Sequence, residues 1–218
     1  VTMFILAVLA GAFIALGAVF ATTVATSGSG ATLPFGLSRL LVGLVFCLGL
    51  ILVIVAGAEL FTGNNLIVMA WAGGKVSTRG LLRNWVIVYI GNFVGAVLTA
   101  LLMYLTRQHT FAGGAVGQTA LAIANAKVNL DFVQAVALGI MCNALVCLAV
   151  WLTFSARTTI DKIAAIVFPI AAFVAAGFEH CVANMYFVPL GLFIKQFDPG
   201  FVASLGMDLT NLTWAGFL

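Results

Sequence analysis

Charge is what this sequence has least of. Only 7% of its 218 residues are charged, nine Lys+Arg and six Asp+Glu, whereas 64% are hydrophobic. Soluble domains run at about 45–50% apolar and about 25% charged, so a soluble globular class is excluded and the chain reads as an integral membrane protein. No basic run and no basic patch spaced by aromatics occurs, which excludes a nucleic-acid partner. Histidine is scarcer still, with only His109 and His180. A haem held by two histidines, or a metal centre of several imidazoles and carboxylates, needs more ligands than one histidine at membrane depth can provide, so no cofactor or metal is expected and a redox enzyme is disfavoured. The cysteines, Cys47, Cys142, Cys147 and Cys181, lie in apolar segments without CxxC spacing and read as buried thiols. The opening VTMFILAVLAGAF lacks a basic n-region and is read as mature helix, with an amphipathic segment expected ahead of Val1.

What the chain does have is long apolar runs. A spanning helix needs about 20 such residues, and five candidates qualify: Thr2 to about Thr26, closed by the turn-rich stretch Ser27 to Gly36; about Leu37 to Ala72; Asn84 to Thr106; Phe132 to Ala156; and about Asp161 to Ile194. The second and fifth are over 30 residues long, too long for one straight crossing, and each has an acid just past its middle, Glu59 and Glu179. Both are therefore expected to be broken. Non-helical backbone survives in lipid only where protein buries it or a cavity hydrates it, so two breaks imply a shared interior path.

Aligning the breaks sharpens this expectation. Ala56-Gly57-Ala58-Glu59 lies over Ala176-Gly177-Phe178-Glu179, 120 residues further on. Both fall in an unbroken, broken, unbroken order of helices, which is the arrangement of an internal transporter repeat. The repeats are expected at residues 1–107 and from about 130 to 218. Three spans per repeat would invert the second relative to the first, and a sixth helix is expected beyond Leu218. Cation density places the loops carrying Lys75, Arg79 and Arg83 and Arg157 and Lys162 in the cytoplasm, opposite Arg39, Arg107, Lys127 and Lys195.

Few residues can carry chemistry. His109 lies in the polar loop TRQHTFAGG and reads as exposed and inert. His180 is the imidazole at membrane depth, and a hydrogen-bonded core ring competes there with a pathway-lining one. Glu59 and Glu179 are expected to brace the breaks by accepting from backbone N–H groups of the following half-helix, with direct proton transfer as the rival role. Thr62 supplies a hydroxyl that could face His180. Asn92, Asn143 and Asn184 read as interhelical hydrogen-bonding groups, and Gly91-x-x-x-Gly95 as a close-contact helix face. Lys162 is either a topology marker or an attractor of anions.

Four stretches in order, AGAELFTG from Ala56, RNWVIVYIGNFVGAV from Arg83, CNALVCLAVW from Cys142 and AAGFEHCVANMYFVPLG from Ala175, resemble the formate/nitrite transporter family, most nearly its formate-channel branch. The resemblance spans nearly the whole chain. It implies an all-α integral membrane fold of the aquaporin-like kind, three plus three helices with the second and fifth broken, assembled as a homopentamer in the bacterial cytoplasmic (inner) membrane. It also implies a pore centred on His180 and Thr62, with Asn184 beside the histidine, Lys162 at the cytoplasmic mouth, and constrictions at Phe46, Leu50, Leu60, Phe173 and Val146. The function expected on this basis is passage of a small monovalent anion, formate first, linked to protons. Nitrite or hydrosulfide are the alternative substrates, and a membrane-embedded cofactor-binding enzyme subunit is the rival class.

Overall fold

The computed structural model describes residues 1–26 and 33–217, and every regular element among them is helical. Five helices are long and apolar enough to cross a bilayer: Thr2–Ala25, Phe35–Ala56, Thr78–Leu105, Phe132–Ser155 and Thr159–Ala176. In chain order the α-helices are α1 (Thr2–Ala25), α2 (Phe35–Ala56), α3 (Phe61–Asn64), α4 (Ile67–Ala72), α5 (Thr78–Leu105), α6 (Ala115–Val128), α7 (Phe132–Leu152), α8 (Thr159–Ala176), α9 (Cys181–Phe197), α10 (Pro199–Leu205) and α11 (Trp214–Phe217). The second expected span is thus divided into α2 and the short α3 and α4, and the fifth into α8 and α9. The expected turn at Ser27 to Gly36 lies mostly outside the described residues. Its end is helical, because Pro34 takes the N-cap position of α2 with φ −52° and Phe35 and Gly36 already belong to the first turn.

α1 is the central post. It packs on α2 and α5, while α2 packs on α8, α9 on α5 and α6, and α7 on α8. Small residues make the α1/α5 crossing unusually close: a Cβ at Gly95 would collide with the Val8 carbonyl, one at Gly11 with the Asn92 backbone, and one at Gly91 would come within 2.5 Å of Ala7 Cβ. The Gly91-x-x-x-Gly95 face is therefore spent on packing within the chain. Large apolar side chains elsewhere turn outward, Phe168 at 83% exposure and Ile140 at 64% among them. Such a surface suits hydrocarbon, against which apolar side chains cost nothing.

Two helices, α6 and the short α10, occupy stretches in which the sequence predicts no helix. Residues 107–130 read as a connecting loop, yet α6 occupies Ala115–Val128. At 14 residues it is too short to span, and its Gln, Thr and Asn residues hide the apolar signal. Its packed stripe is nevertheless Val116, Ala120 and Ala124, one residue per turn, which lies against α9.

Candidate functional site

The site is built where the two broken spans meet, and the breaks share one construction. α2 stops at Gly57 (φ 69°, ψ 34°) and α8 at Gly177 (φ 80°, ψ 28°), both in the left-handed region that a Cβ disfavours. The following amide folds back in each case, Ala58 N to Val53 O at 2.9 Å and Phe178 N to Phe173 O at 3.0 Å. The amide of each acid then reaches the first helix of its own half of the chain, Glu59 N donating to Leu6 O at 3.3 Å and Glu179 N to Leu138 O at 3.4 Å. Leu60 and His180 are both extended, with φ −106°, and a new helix starts immediately after each.

The acids bond to side chains at the breaks and not, as expected, to backbone amides of the following half-helix. Asn64 Nδ2 donates to Glu59 Oε2 at 2.6 Å, and Asn184 Nδ2 donates to Glu179 Oε2 at 2.9 Å. The residue directly before a helix holds the N-cap position, and here that residue is Leu60 or His180, not the glutamate. Glu179 has a further partner that sequence reading missed. Lys127 Nζ, near the end of α6, donates to Oε1 at 2.7 Å and Oε2 at 2.8 Å. The two residues are 52 positions apart, and only the packing of α6 on α9 brings them together.

His180 is 4% exposed and Thr62 3%. The His180 Nδ1 atom accepts the Ala183 amide at 3.1 Å and so caps α9. That bond requires a lone pair on Nδ1, so the neutral ring bears its proton on Nε2. Nε2–H then donates to Thr62 Oγ1, 3.1 Å away. The threonine hydroxyl keeps its own hydrogen for another acceptor. Phe173 stacks on the imidazole with centroids 5.7 Å apart, and Phe46 meets Phe173 edge-on at 5.8 Å. A cleft of about 760 Å³ leads to this point and is bounded by Phe46, Phe173, His180, Arg39, Lys127 and Gln118. A second cleft, about 530 Å³, touches Thr62, Asn143, Cys147, Glu179, His180 and Cys181. The expected constriction residues are all buried: Phe46 and Phe173 wall the wide cleft, while Leu50, Leu60 and Val146 lie in the core.

Other placements differ from expectation. Lys162 sits half-buried in the first turn of α8 and lines neither cleft, whereas Lys127 lines the wide one. Arg39, expected as a topology marker, donates from Nε to Ala175 O at 3.0 Å and from Nη2 to Val174 O at 2.7 Å, satisfying the carbonyl end of α8. His109 is buried at 4% exposure, stacked on Tyr104 at 5.4 Å and 3.3 Å from Asp198 Oδ2. Aromatic neighbours distant in sequence hide it. Of Asn92, Asn143 and Asn184, Asn92 alone bridges helices, since Asn143 Nδ2 reaches Cys147 Sγ within α7 at 3.8 Å and Asn184 stays at its own break. Cys181, expected to be buried, is exposed. Among the described residues no group of three His, Cys, Asp or Glu side chains is placed to hold a metal.

An apolar helical chain whose two interrupted spans meet at a buried histidine and threonine is a multi-pass membrane protein of the channel and transporter kind. The formate/nitrite transporter family matches residues 1–218, and the chain belongs to it. It is 46% identical over 219 residues to the formate channel FocA of Escherichia coli (strain K12), covering 99% of this chain and 76% of that protein. FocA of Haemophilus influenzae is 46% identical over 200 residues, covering 91% and 70%. A solved pentameric formate channel with formate bound superposes with a TM-score of 0.91 at 46% identity, covering 99% of this chain and 86% of that one.

Proposed function

We propose that this chain passes small monovalent anions, formate first, across the cytoplasmic membrane by a proton-linked path through Thr62 and His180, and that it works as a homopentamer and not as an enzyme. The observation that carries the reading is the 3.1 Å pairing of Thr62 Oγ1 with His180 Nε2, walled by Phe46 and Phe173. The relatives named for formate, and the pentameric one solved with formate, support the substrate and the assembly. Residues 1–107 and 130–218 are read as two inverted repeats, a reading supported by the matched breaks.

The physical problem is desolvation. A bare carboxylate entering an apolar slit loses hydration worth many kcal/mol, and a neutral acid loses far less. Lys127 and Arg39 draw the anion into the wide cleft, with Lys162 adding positive potential at the cytoplasmic mouth. The Thr62 hydroxyl and a ring N–H then hold the anion between the constrictions of Phe46, Leu50, Leu60, Phe173 and Val146, and Glu59, Glu179 and Asn184 keep the breaks rigid. The Ala183 cap makes the neutral ring the resting form. A proton that reaches Nδ1 displaces the Ala183 cap; the imidazolium then gives its Nε2 proton to the bound anion, the neutral acid crosses, and the proton left on Nδ1 has to return to Nε2 before the cap re-forms.

Proteoliposome flux tests this. His180→Phe should abolish the pH dependence of formate flux, and unchanged flux with unchanged pH dependence would defeat the relay. Competition by nitrite and hydrosulfide at two pH values identifies the preferred anion.

A further inference from the structure

Thr62 belongs to a helix of four residues, and nothing in that helix's own N-cap supports it. Leu60 occupies the cap and has no acceptor in its side chain, so the first amide of α3, Phe61 N, would be orphaned. At the other break the corresponding helix α9 is capped by His180 itself. α3 is capped from outside. Asn92 on α5 is fully buried, and its Oδ1 accepts Phe61 N at 2.8 Å. Its Nδ2 donates to Glu59 O at 2.9 Å and to Ala7 O on α1 at 2.7 Å. One amide therefore clasps the non-helical strand before α3, the first turn of α3 and the central post α1. Its backbone is equally confined, because Gly11 lies directly against it.

We propose that Asn92 is the positioning residue for Thr62: it fixes the first turn of α3 so that the hydroxyl stands opposite the imidazole. This rests on the anion path through Thr62 and His180. The chain runs from Phe61 directly into Thr62, so releasing the Phe61 amide releases the threonine, and a displacement of about 1 Å breaks a hydrogen bond of 3.1 Å. Asn92 touches neither pore cavity. It acts through Thr62 or not at all.

A double-mutant cycle on formate flux, read with the reconstituted pentamer, tests this. Asn92→Leu should lower flux roughly tenfold and admit larger carboxylates, as misplacement of a positioned group does. In a Thr62→Val background the same change should matter by less than about twofold, because the group it positions is gone. If Asn92→Leu costs the same factor in both backgrounds, Asn92 is only structural and the proposal is overturned while the path stands. If Thr62→Val alone leaves flux untouched, the path itself fails. Should the leucine variant not assemble, Asn92→Ser, which leaves space for a water, replaces it in the same cycle. Amide exchange on the wild-type protein gives an independent answer: Phe61 N–H should be strongly protected, and exchange as fast as a water-facing amide would overturn the proposal whatever the variants do.

Discussion

The two breaks have the same backbone and different guardians. At the first, Glu59 is held by the Asn64 amide, which also donates to Asn84 Oδ1 at 3.0 Å, and the new helix is capped from α5. At the second, Glu179 is held by Asn184 and by Lys127, and the new helix is capped by the imidazole that meets Thr62. The difference teaches that shape and chemistry are separable here. The glycine, the folded-back amide and the acid–asparagine bond produce the kink, and both breaks have them. The cation and the ring are additions on one side only, and they make that side the electrostatically active one.

Removing the cation should separate the two sides most strongly. Lys127→Met leaves the Glu179 carboxylate, whose side chain is 12% exposed, without a counter-charge. Breaking such a pair typically costs about 3–5 kcal/mol, whereas Glu59→Gln, which keeps an acceptor for Asn64, should cost about 1 kcal/mol. Thermal unfolding of the detergent-solubilised protein measures both, and adding Glu179→Gln to Lys127→Met should restore most of the loss. Equal effects at the two breaks would erase the asymmetry.

The glycines offer a finer comparison. Alanine at Gly57 or Gly177 should cost about 1–2 kcal/mol for the left-handed backbone alone. A Cβ at Gly57 meets nothing within 4 Å, but one at Gly177 comes within 2.9 Å of the Arg39 guanidinium, which caps α8. Gly177→Ala should therefore be the worse of the two in the same melting assay.

The smallest effect concerns the second half alone. The Asp198 carboxyl is held below the usual carboxylate range, chiefly by the Phe201 amide and further by His109. A lowered folded-state value means that stabilisation is complete above the unfolded value and is lost as pH falls through the folded one. The protection factor of the Phe201 amide, taken against its intrinsic exchange rate at each pH, should fall as pH drops through the lowered Asp198 range, and in Asp198→Asn it should be lower at neutral pH and change little on acidification.

How much of this was legible depended on contrast. The five long apolar helices stood out by the length of their uncharged runs, and Glu59 and Glu179 stood out within two of them because a carboxylate in an apolar run has few explanations, so the breaks followed from the acids. The meeting of Thr62 with His180 was suggested by the repeat. α6 was hidden because a short helix of small and polar residues has no contrast with a loop. Lys127 was hidden with it, counted as a loop charge when it is the partner of a buried acid. His109 looked exposed because its neighbours TRQHT are polar, and the Tyr104 and Phe201 rings that cover it come from tertiary packing. Asn92 reads as an interhelical group, and the structure adds that one of its three bonds ends on α3, the helix of Thr62.

The crossing of α1 and α5 has a mechanical consequence. Where main chain rests on main chain, with no side chain between to change rotamer, two helices cannot slide by small steps. That junction is a fixed fulcrum, and whatever breathing the protein performs as cargo goes by has to be done by the short half-helices hinged around it.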